Sequence, residues 1–181
     1  MAPSRLMMIA GVIQTIEHMA KPWAALYSDS TAISSAVTFF HLGGLLFAGG
    51  LAISSDRATF RAFRLEPDAR DRLLHDLANS HRWVLGGIAV IFASGILLVL
   101  SDVKTFAYSG IYWTKMGLVV LLLANGSVLQ RTEQKLRAVR LLSDSAPNVQ
   151  RLWTRLRISA IASMILWTSI LLAGVILVES S

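Results

Sequence analysis

Two ionisable side chains, His41 and Lys115, stand within stretches that are otherwise almost entirely apolar. An ionisable group at the centre of a bilayer costs at least about 2.5–3.5 kcal/mol, so its presence there indicates a function. A neutral imidazole in a dry helical bundle can ligate haem iron, and an ammonium group can pair with an anionic substituent such as a haem propionate. The two residues therefore predict a b-type haem site, with His41 as the iron ligand.

Each residue also has a purely structural interpretation. His41 can be a core histidine that is hydrogen-bonded to a neighbouring helix. Lys115 lies only four residues after the start of its apolar stretch, so its amine can extend to the lipid headgroups beside the interfacial anchors Tyr112 and Trp113.

The other histidines are weaker candidates for a second axial ligand. His18 is on the correct side of the membrane, but its helical position turns it away from the apolar face. At a rise of 1.5 Å per residue, His81 lies roughly 18 Å below His41, too far to share one iron. His75 falls in a basic, polar segment. The candidate cofactor-binding residues are therefore His41, Lys115 and, more weakly, His18.

Four apolar stretches are long enough, or nearly so, to cross the roughly 30 Å hydrocarbon core of a bilayer. They are Ala32–Ile53, Trp83–Leu100, Ile111–Leu129 and Ile158–Val178. The sequence predicts an all-α, single-domain integral membrane protein with a four-helix transmembrane bundle.

An amphipathic helix over residues 4–21 precedes the first span. Its apolar residues recur at helical spacing, which predicts a helix lying in the membrane interface, and Pro22 is expected to break the pattern. A fifth span is the alternative, but Gln14, Glu17 and His18 would be costly in lipid.

The rise of an α-helix also predicts the depth of the two ionisable groups. His41 and Lys115 are predicted to lie roughly 18 and 21 Å from the cytoplasmic boundary, in the outer half of the membrane. The same count puts Gly95 and Gly174 near that level, which predicts a pocket between helices there.

Basic residues set the predicted orientation. Thirteen of the 17 Lys and Arg residues lie in the two long segments between spans one and two and between spans three and four. The positive-inside rule then places both segments in the cytoplasm and both termini outside, in a bacterial inner membrane. The loop charges are expected to meet headgroups and water.

The composition excludes several classes of function. The chain has no cysteine, which removes thiolate metal sites and covalent haem attachment. No acidic residue lies within a predicted span, which argues against a carboxylate-driven pump. The net charge of +6 comes from basic residues that crowd between the predicted spans, which is how membrane topology is encoded, so a nucleic-acid partner is not expected.

Smaller patterns predict helix packing. Gly44, Ala48 and Ala52 recur every fourth residue, and a second series (Ala36, Gly43, Gly50) every seventh; small residues at such spacings let helices approach closely. Asn125 is expected to form a hydrogen bond between helices. Pro67 is a helix-start signal for Asp68–Leu77, and Thr132–Leu142 reads as a charged extension of span three.

Two further functions remain open at this stage. Thioether sulfur binds Cu(I), so Met7, Met8 and Met19 together with His41 are compatible with a copper transport or homeostasis protein. A non-catalytic subunit of a larger membrane complex, or a homo-oligomer, would use its polar residues only to pack helices.

The layout from about Leu6 to Arg131 resembles a group of uncharacterised bacterial four-helix membrane proteins. The shared features are the Phe40-His41-Leu42-Gly43-Gly44 run, a short outer loop ending Phe106-Ala107-Tyr108-Ser109-Gly110, the Lys115-Met116 pair, and Asn125. This arrangement is distantly similar to the copper-resistance D membrane domain and to the J-type protoporphyrinogen oxidase. The resemblance implies haem binding by a histidine and a lysine at these two places, namely His41 and Lys115.

Overall fold

The structure is a computed structural model that describes the backbone of residues 3–62, 67–140 and 147–179, and the side chains of residues 7–8, 10–61, 82–138, 149–177 and 179. These residues form six helices, α1 (Pro3–Asp29), α2 (Thr31–Ala62), α3 (Pro67–Ser101), α4 (Val103–Tyr108), α5 (Gly110–Arg140) and α6 (Pro147–Glu179). The described part of the chain contains no strand, which confirms the predicted all-α class.

Four of these helices, α2, α3, α5 and α6, are long and apolar enough to cross a membrane. The most extensive contacts pair α2 with α3 and α5 with α6, and α2 packs on α6 to join the two pairs. The contact of α3 with α5 is sparse, so this interface between spanning helices is weakly packed. We call the end that carries α1 and α4 the α1 end, and the opposite end, with its many Lys and Arg residues, the basic end.

Helix α1 is not among the membrane-spanning helices, and it packs on α2, α3 and α4 at the α1 end. The indole Nε1 of Trp23 donates to the carbonyl oxygen of Leu97 at 2.9 Å, and Lys104 forms an ion pair with Glu17 at 3.2 Å. The expected break at Pro22 is wrong. Pro22 lies inside α1, which continues to Asp29, because flanking tertiary contacts offset the one hydrogen bond that proline removes.

The connection before α5 is more ordered than a short loop. Asp102 caps α4, and its carboxylate accepts a hydrogen bond from the backbone N–H of Thr105 at 3.1 Å. An N-cap of this kind satisfies a backbone donor that has no partner within the helix. Helix α4 thereby fixes the position at which α5 begins, with Gly110.

Small residues bring α2 and α3 close together. A Cβ atom built on Gly87 would lie 2.8 Å from the Cβ of Ala48, and one on Gly44 would lie 3.0 Å from Cγ1 of Ile91. The prediction that Gly44 and Ala48 pack against another helix is therefore confirmed. The seventh-residue series does not share this role, since Cβ atoms on Gly43 and Gly50 would meet no neighbour.

The helices continue beyond the hydrocarbon spans at the basic end. The helix-start signal at Pro67 is confirmed, and α3 runs from it without interruption into the span. Helix α5 likewise extends through the charged stretch to Arg140. The described backbone at this end is therefore largely helical.

Two apolar clusters form the interior. The first lies at mid-bundle between α2, α5 and α6 and contains Ala48, Leu122, Trp167 and Ile170. The second lies at the basic end, where Leu129, Leu136, Trp153, Leu156 and Ala160 pack together with Phe60 at their edge. The interior of the bundle is thus most tightly filled toward the basic end.

The expectation that the loop charges all meet water and headgroups is wrong for two carboxylates. Asp56 is only 4% exposed and Glu133 only 2% exposed, next to the buried hydroxyl residues Thr59 and Thr132. Their helices extend past the apolar spans and pack there, which removes both side chains from the surface.

Candidate functional site

His41 lies on α2 and faces α3. Its Nδ1 atom is 3.2 Å from the carbonyl oxygen of Ile91 and 3.1 Å from the hydroxyl oxygen of Ser94. A Cβ atom built on Gly95 would lie 3.3 Å from Cε1 of the imidazole. The ring is therefore seated on one turn of α3 that carries a hydroxyl, a carbonyl and a glycine.

These contacts select one tautomer of His41. The carbonyl oxygen of Ile91 can only accept a hydrogen bond, and the Ser94 hydroxyl lies within donating distance of the Val90 carbonyl at 2.7 Å and of the Ile91 carbonyl at 3.2 Å. We therefore assign the proton to Nδ1, which leaves a lone pair on Nε2. Metal-ligating histidines commonly have this arrangement, in which one ring nitrogen donates to a carbonyl and the other binds the metal.

Lys115 lies on α5 and is directed to α6. A Cβ atom built on Gly174 would lie 3.4 Å from its Nζ atom and 3.9 Å from its Cε atom. The amine is half-buried rather than exposed to the surface. The absence of a side chain at Gly174 thus provides the space that the ammonium group occupies between the two helices.

The two groups are close enough to interact electrostatically across the bundle. In the part of the chain that the structure describes, Lys115 forms neither an ion pair nor a hydrogen bond. The site therefore combines an acceptor or metal-binding atom, Nε2 of His41, with an unpaired cation. Such a combination can hold a ligand that carries both a metal ion and an anionic group.

The level of the site follows the prediction from the helical rise. Gly95 adjoins His41 and Gly174 adjoins Lys115, as expected from counting residues along the four spans. The apolar residues Ile91 and Leu118 belong to the mid-bundle cluster just below. The site is therefore walled by apolar side chains on the side of the basic end.

Space for a ligand lies toward the α1 end. A groove with a volume of about 660 Å³ runs between the α4–α5 junction and the end of α6. Its walls include Thr114 and Ala173, the chain neighbours of Lys115 and Gly174. Neither His41 nor Lys115 is itself among the residues that line this groove.

The other predicted ligands do not join the site. His18 is exposed on α1 and makes no hydrogen bond or ion pair with the described residues. The side chains of His75 and His81 lie outside the described residues. Among the side chains that are described, no group of three His, Asp or Glu residues forms a metal site. His41 thus offers a single metal ligand, which fits one axial position of a haem.

Sequence reasoning missed the groups that orient His41. Ser94 is the buried polar residue on α3 that contacts the ring, and its place beside Gly95 at the predicted level of His41 was the available signal. The backbone carbonyl of Ile91 left no signal in the sequence. Asn125 was identified correctly: its Nδ2 atom donates to the Ser159 carbonyl at 2.9 Å, and the Ser159 hydroxyl donates to its Oδ1 atom at 2.8 Å.

Comparison of the chain with protein-family models, curated proteins and solved structures finds no match in any of the three. The site geometry therefore carries the functional argument alone.

Proposed function

We propose that this protein holds one b-type haem between its helices near the α1 end and uses it in electron transfer or other haem-linked redox work. His41 ligates the iron through Nε2, and Lys115 pairs with a propionate. The observation that carries this proposal is the hydrogen bonding of His41, since donation from Nδ1 to the Ile91 carbonyl leaves Nε2 available to a metal.

The unpaired ammonium of Lys115 supports the same ligand. A cation held between helices without a carboxylate is costly, and a bound anion offsets that cost. Haem carries its propionates on one edge of a flat apolar macrocycle. An imidazole on α2 and an ammonium group on α5, within range of a Coulombic interaction, suit the two ends of such a ligand.

Among the described side chains, His41 would hold the iron and Lys115 would hold an anionic substituent of the macrocycle. The bound group supplies one-electron chemistry when it is present, and the protein supplies an apolar wall, a fixed imidazole and a compensating cation. The proposal places the protein in a bacterial inner membrane, with the α1 end outside and the basic end in the cytoplasm, because the basic residues concentrate at one end.

The geometry favours haem over copper. Met7, Met8 and Met19 are exposed along α1, which carries His18, whereas His41 lies on α2. A lone imidazole beside an ammonium is also a poor site for a free metal cation, because like charges repel.

The experiment is a haem titration of the purified protein in detergent, followed by its Soret absorption. The wild-type protein is expected to bind one equivalent of haem, and His41→Ala is expected to lose the band. His18→Ala is the matched control, since His18 is an exposed histidine at the same end, and it should retain the band. A colourless wild-type protein, or a band that His41→Ala leaves intact, contradicts the proposal.

A further inference from the structure

The surface of the basic end carries a dense field of positive charge. Eight Lys and Arg side chains there are exposed, distributed over all four spanning helices: Arg57, Arg61, Arg82, Arg131, Lys135, Arg151, Arg155 and Arg157. They lie near the ends of the four apolar spans, and because every spanning helix contributes, we call these eight side chains the cationic ring.

Two acidic side chains at this end lie beneath the surface that the cations form. Asp56 on α2 and Glu133 on α5 are the acidic residues at this end whose side chains the structure describes, and both are almost fully buried. Within the described part of the basic end, every charged group that reaches the surface is therefore a cation.

The α1 end provides a contrast within the same molecule. Over the full sequence, the basic end has 13 Lys and Arg against seven Asp and Glu, whereas the α1 end has four against four: Arg5, Lys21, Lys104 and Lys115 with Glu17, Asp29, Asp102 and Glu179. One pair is joined directly, as Lys104 contacts Glu17 at 3.2 Å. The two ends of one bundle thus offer the same bilayer a cationic surface and a charge-balanced surface.

We propose that the basic end is a binding surface for the headgroups of anionic phospholipids, which the ring of eight cations collects from the surrounding leaflet. Lipid is the expected partner because of the level at which the cations lie and because of their charge. The cations lie where apolar spans end, the level at which phosphodiesters lie in a bilayer, and arginine forms bidentate hydrogen bonds with phosphate oxygens. Juxtamembrane clusters of four to eight basic residues attract anionic lipid at about fivefold per charge.

Two exposed tryptophans provide built-in reporters at the two ends. Trp83, beside Arg82, is 63% exposed, and Trp113, at the α1 end, is 61% exposed. The protein is reconstituted in one mixture of phosphatidylglycerol and phosphatidylcholine, with bromine placed on the acyl chains of either lipid in turn. Fluorescence lost in Trp83→Phe or Trp113→Phe assigns the quenching to each end.

The expected result is stronger quenching of Trp83 by brominated phosphatidylglycerol than by brominated phosphatidylcholine, with no such preference at Trp113. The lipid mixture is the same whichever lipid carries the bromine. The depth of the tryptophan therefore affects both quenching values equally and cancels from their ratio. Equal quenching by the two lipids at Trp83 overturns the proposal.

Charge variants test the cause. Arg57→Gln/Arg61→Gln, on the helix that packs most extensively against α3, should lower the phosphatidylglycerol preference at Trp83 by at least about threefold, because each removed cation weakens the attraction. Lys21→Gln/Lys104→Gln, an equal change at the α1 end, should leave it unaltered. An equal loss of the phosphatidylglycerol preference in both double variants would refute a binding surface located at the basic end. No loss in either double variant would refute it as well.

A free phosphate site is distinguished by the salt used. Replacing sodium chloride with sodium phosphate at equal ionic strength should leave the preference unchanged, since the ring binds headgroups held in the bilayer. Loss of the preference in phosphate overturns the assignment to lipid. The measurement requires no haem, so it is independent of the proposed function.

Discussion

The polar side chains inside this bundle fall into two groups that differ in how completely the protein surrounds them. At the basic end, Asp56, Thr59, Thr132 and Glu133 are each less than 5% exposed and lie next to a large apolar cluster. At the α1 end, His41 and Lys115 are only half-buried, and each lies against a glycine, Gly95 or Gly174, of a neighbouring helix.

The contrast shows why burial of a polar group is not by itself a sign of a ligand site. Fully enclosed polar groups on packed helices contribute to structure, because any loss leaves a partner unsatisfied in a dry interior. Half-enclosed groups next to glycines are the ones that a ligand could still reach. The following variants separate these two roles, from the largest expected effect on stability to the smallest.

The largest loss is expected from the core of the basic end. Leu136 is fully buried, so Leu136→Ala should lower the free energy of unfolding by about 2–5 kcal/mol. Leu121→Ala on the same helix removes an exposed side chain and should cost less than about 0.5 kcal/mol. The two are compared by denaturation in mixed micelles, and equal losses would show that the basic end is not the packed core.

A smaller loss is expected where α2 crosses α3. Gly87→Ala adds a Cβ atom only 2.8 Å from that of Ala48, so the helices must shift, at a cost of about 1–3 kcal/mol. Gly86→Ala is the neighbouring control, because a Cβ atom there meets nothing within 4 Å. Denaturation of the two variants should differ clearly; a Gly87→Ala protein as stable as the control would argue against this close crossing.

A still smaller effect is expected for the hydrogen bonds between α5 and α6. A double-mutant cycle with Asn125→Ala and Ser159→Ala should give a coupling of about 0.6 kcal/mol and not above about 1.7 kcal/mol, the range for such bonds in membranes. Asn125→Ala combined with Ser127→Ala serves as the uncoupled reference, since Ser127 bonds only within its own helix at Leu123. Additive losses for Asn125 and Ser159 would contradict the observed pair.

The smallest loss of stability is expected at the haem site itself. Lys115→Leu should not lower the free energy of unfolding in the absence of haem, because the substitution removes a cation from a lipid environment. It should nevertheless weaken haem binding severalfold through loss of the propionate partner. A Lys115→Leu protein that unfolds more easily and binds haem normally would assign this residue to structure.

The sequence predicted the four spans because each is a continuous apolar run, and it predicted the levels of Gly95 and Gly174 because helical rise is regular. It did not predict burial of Asp56 and Glu133. Their burial depends on how far α2 and α5 stay packed beyond the apolar runs, which is a tertiary property. Hydropathy alone therefore places both residues outside the membrane helices.

At the α1 end, residue types predicted some structural features and missed others. Pro22 is a helix breaker by propensity, but the contacts of α1 with α3, such as Trp23 with Leu97, hold the helix across it. The hydrogen-bond partner of His41 is a backbone carbonyl, which no residue type encodes. The candidate residues could thus be found from the sequence, while the tautomer that would let His41 act as a metal ligand required coordinates.

The proposed haem binding depends most on His41 as the iron ligand, and chemical rescue tests this role directly. His41→Gly protein supplied with haem should show no Soret band, and added imidazole should restore the band by occupying the space of the missing ring. The account predicts both the loss and the recovery. A His41→Gly protein that binds haem as the wild-type protein does, without imidazole, would contradict it.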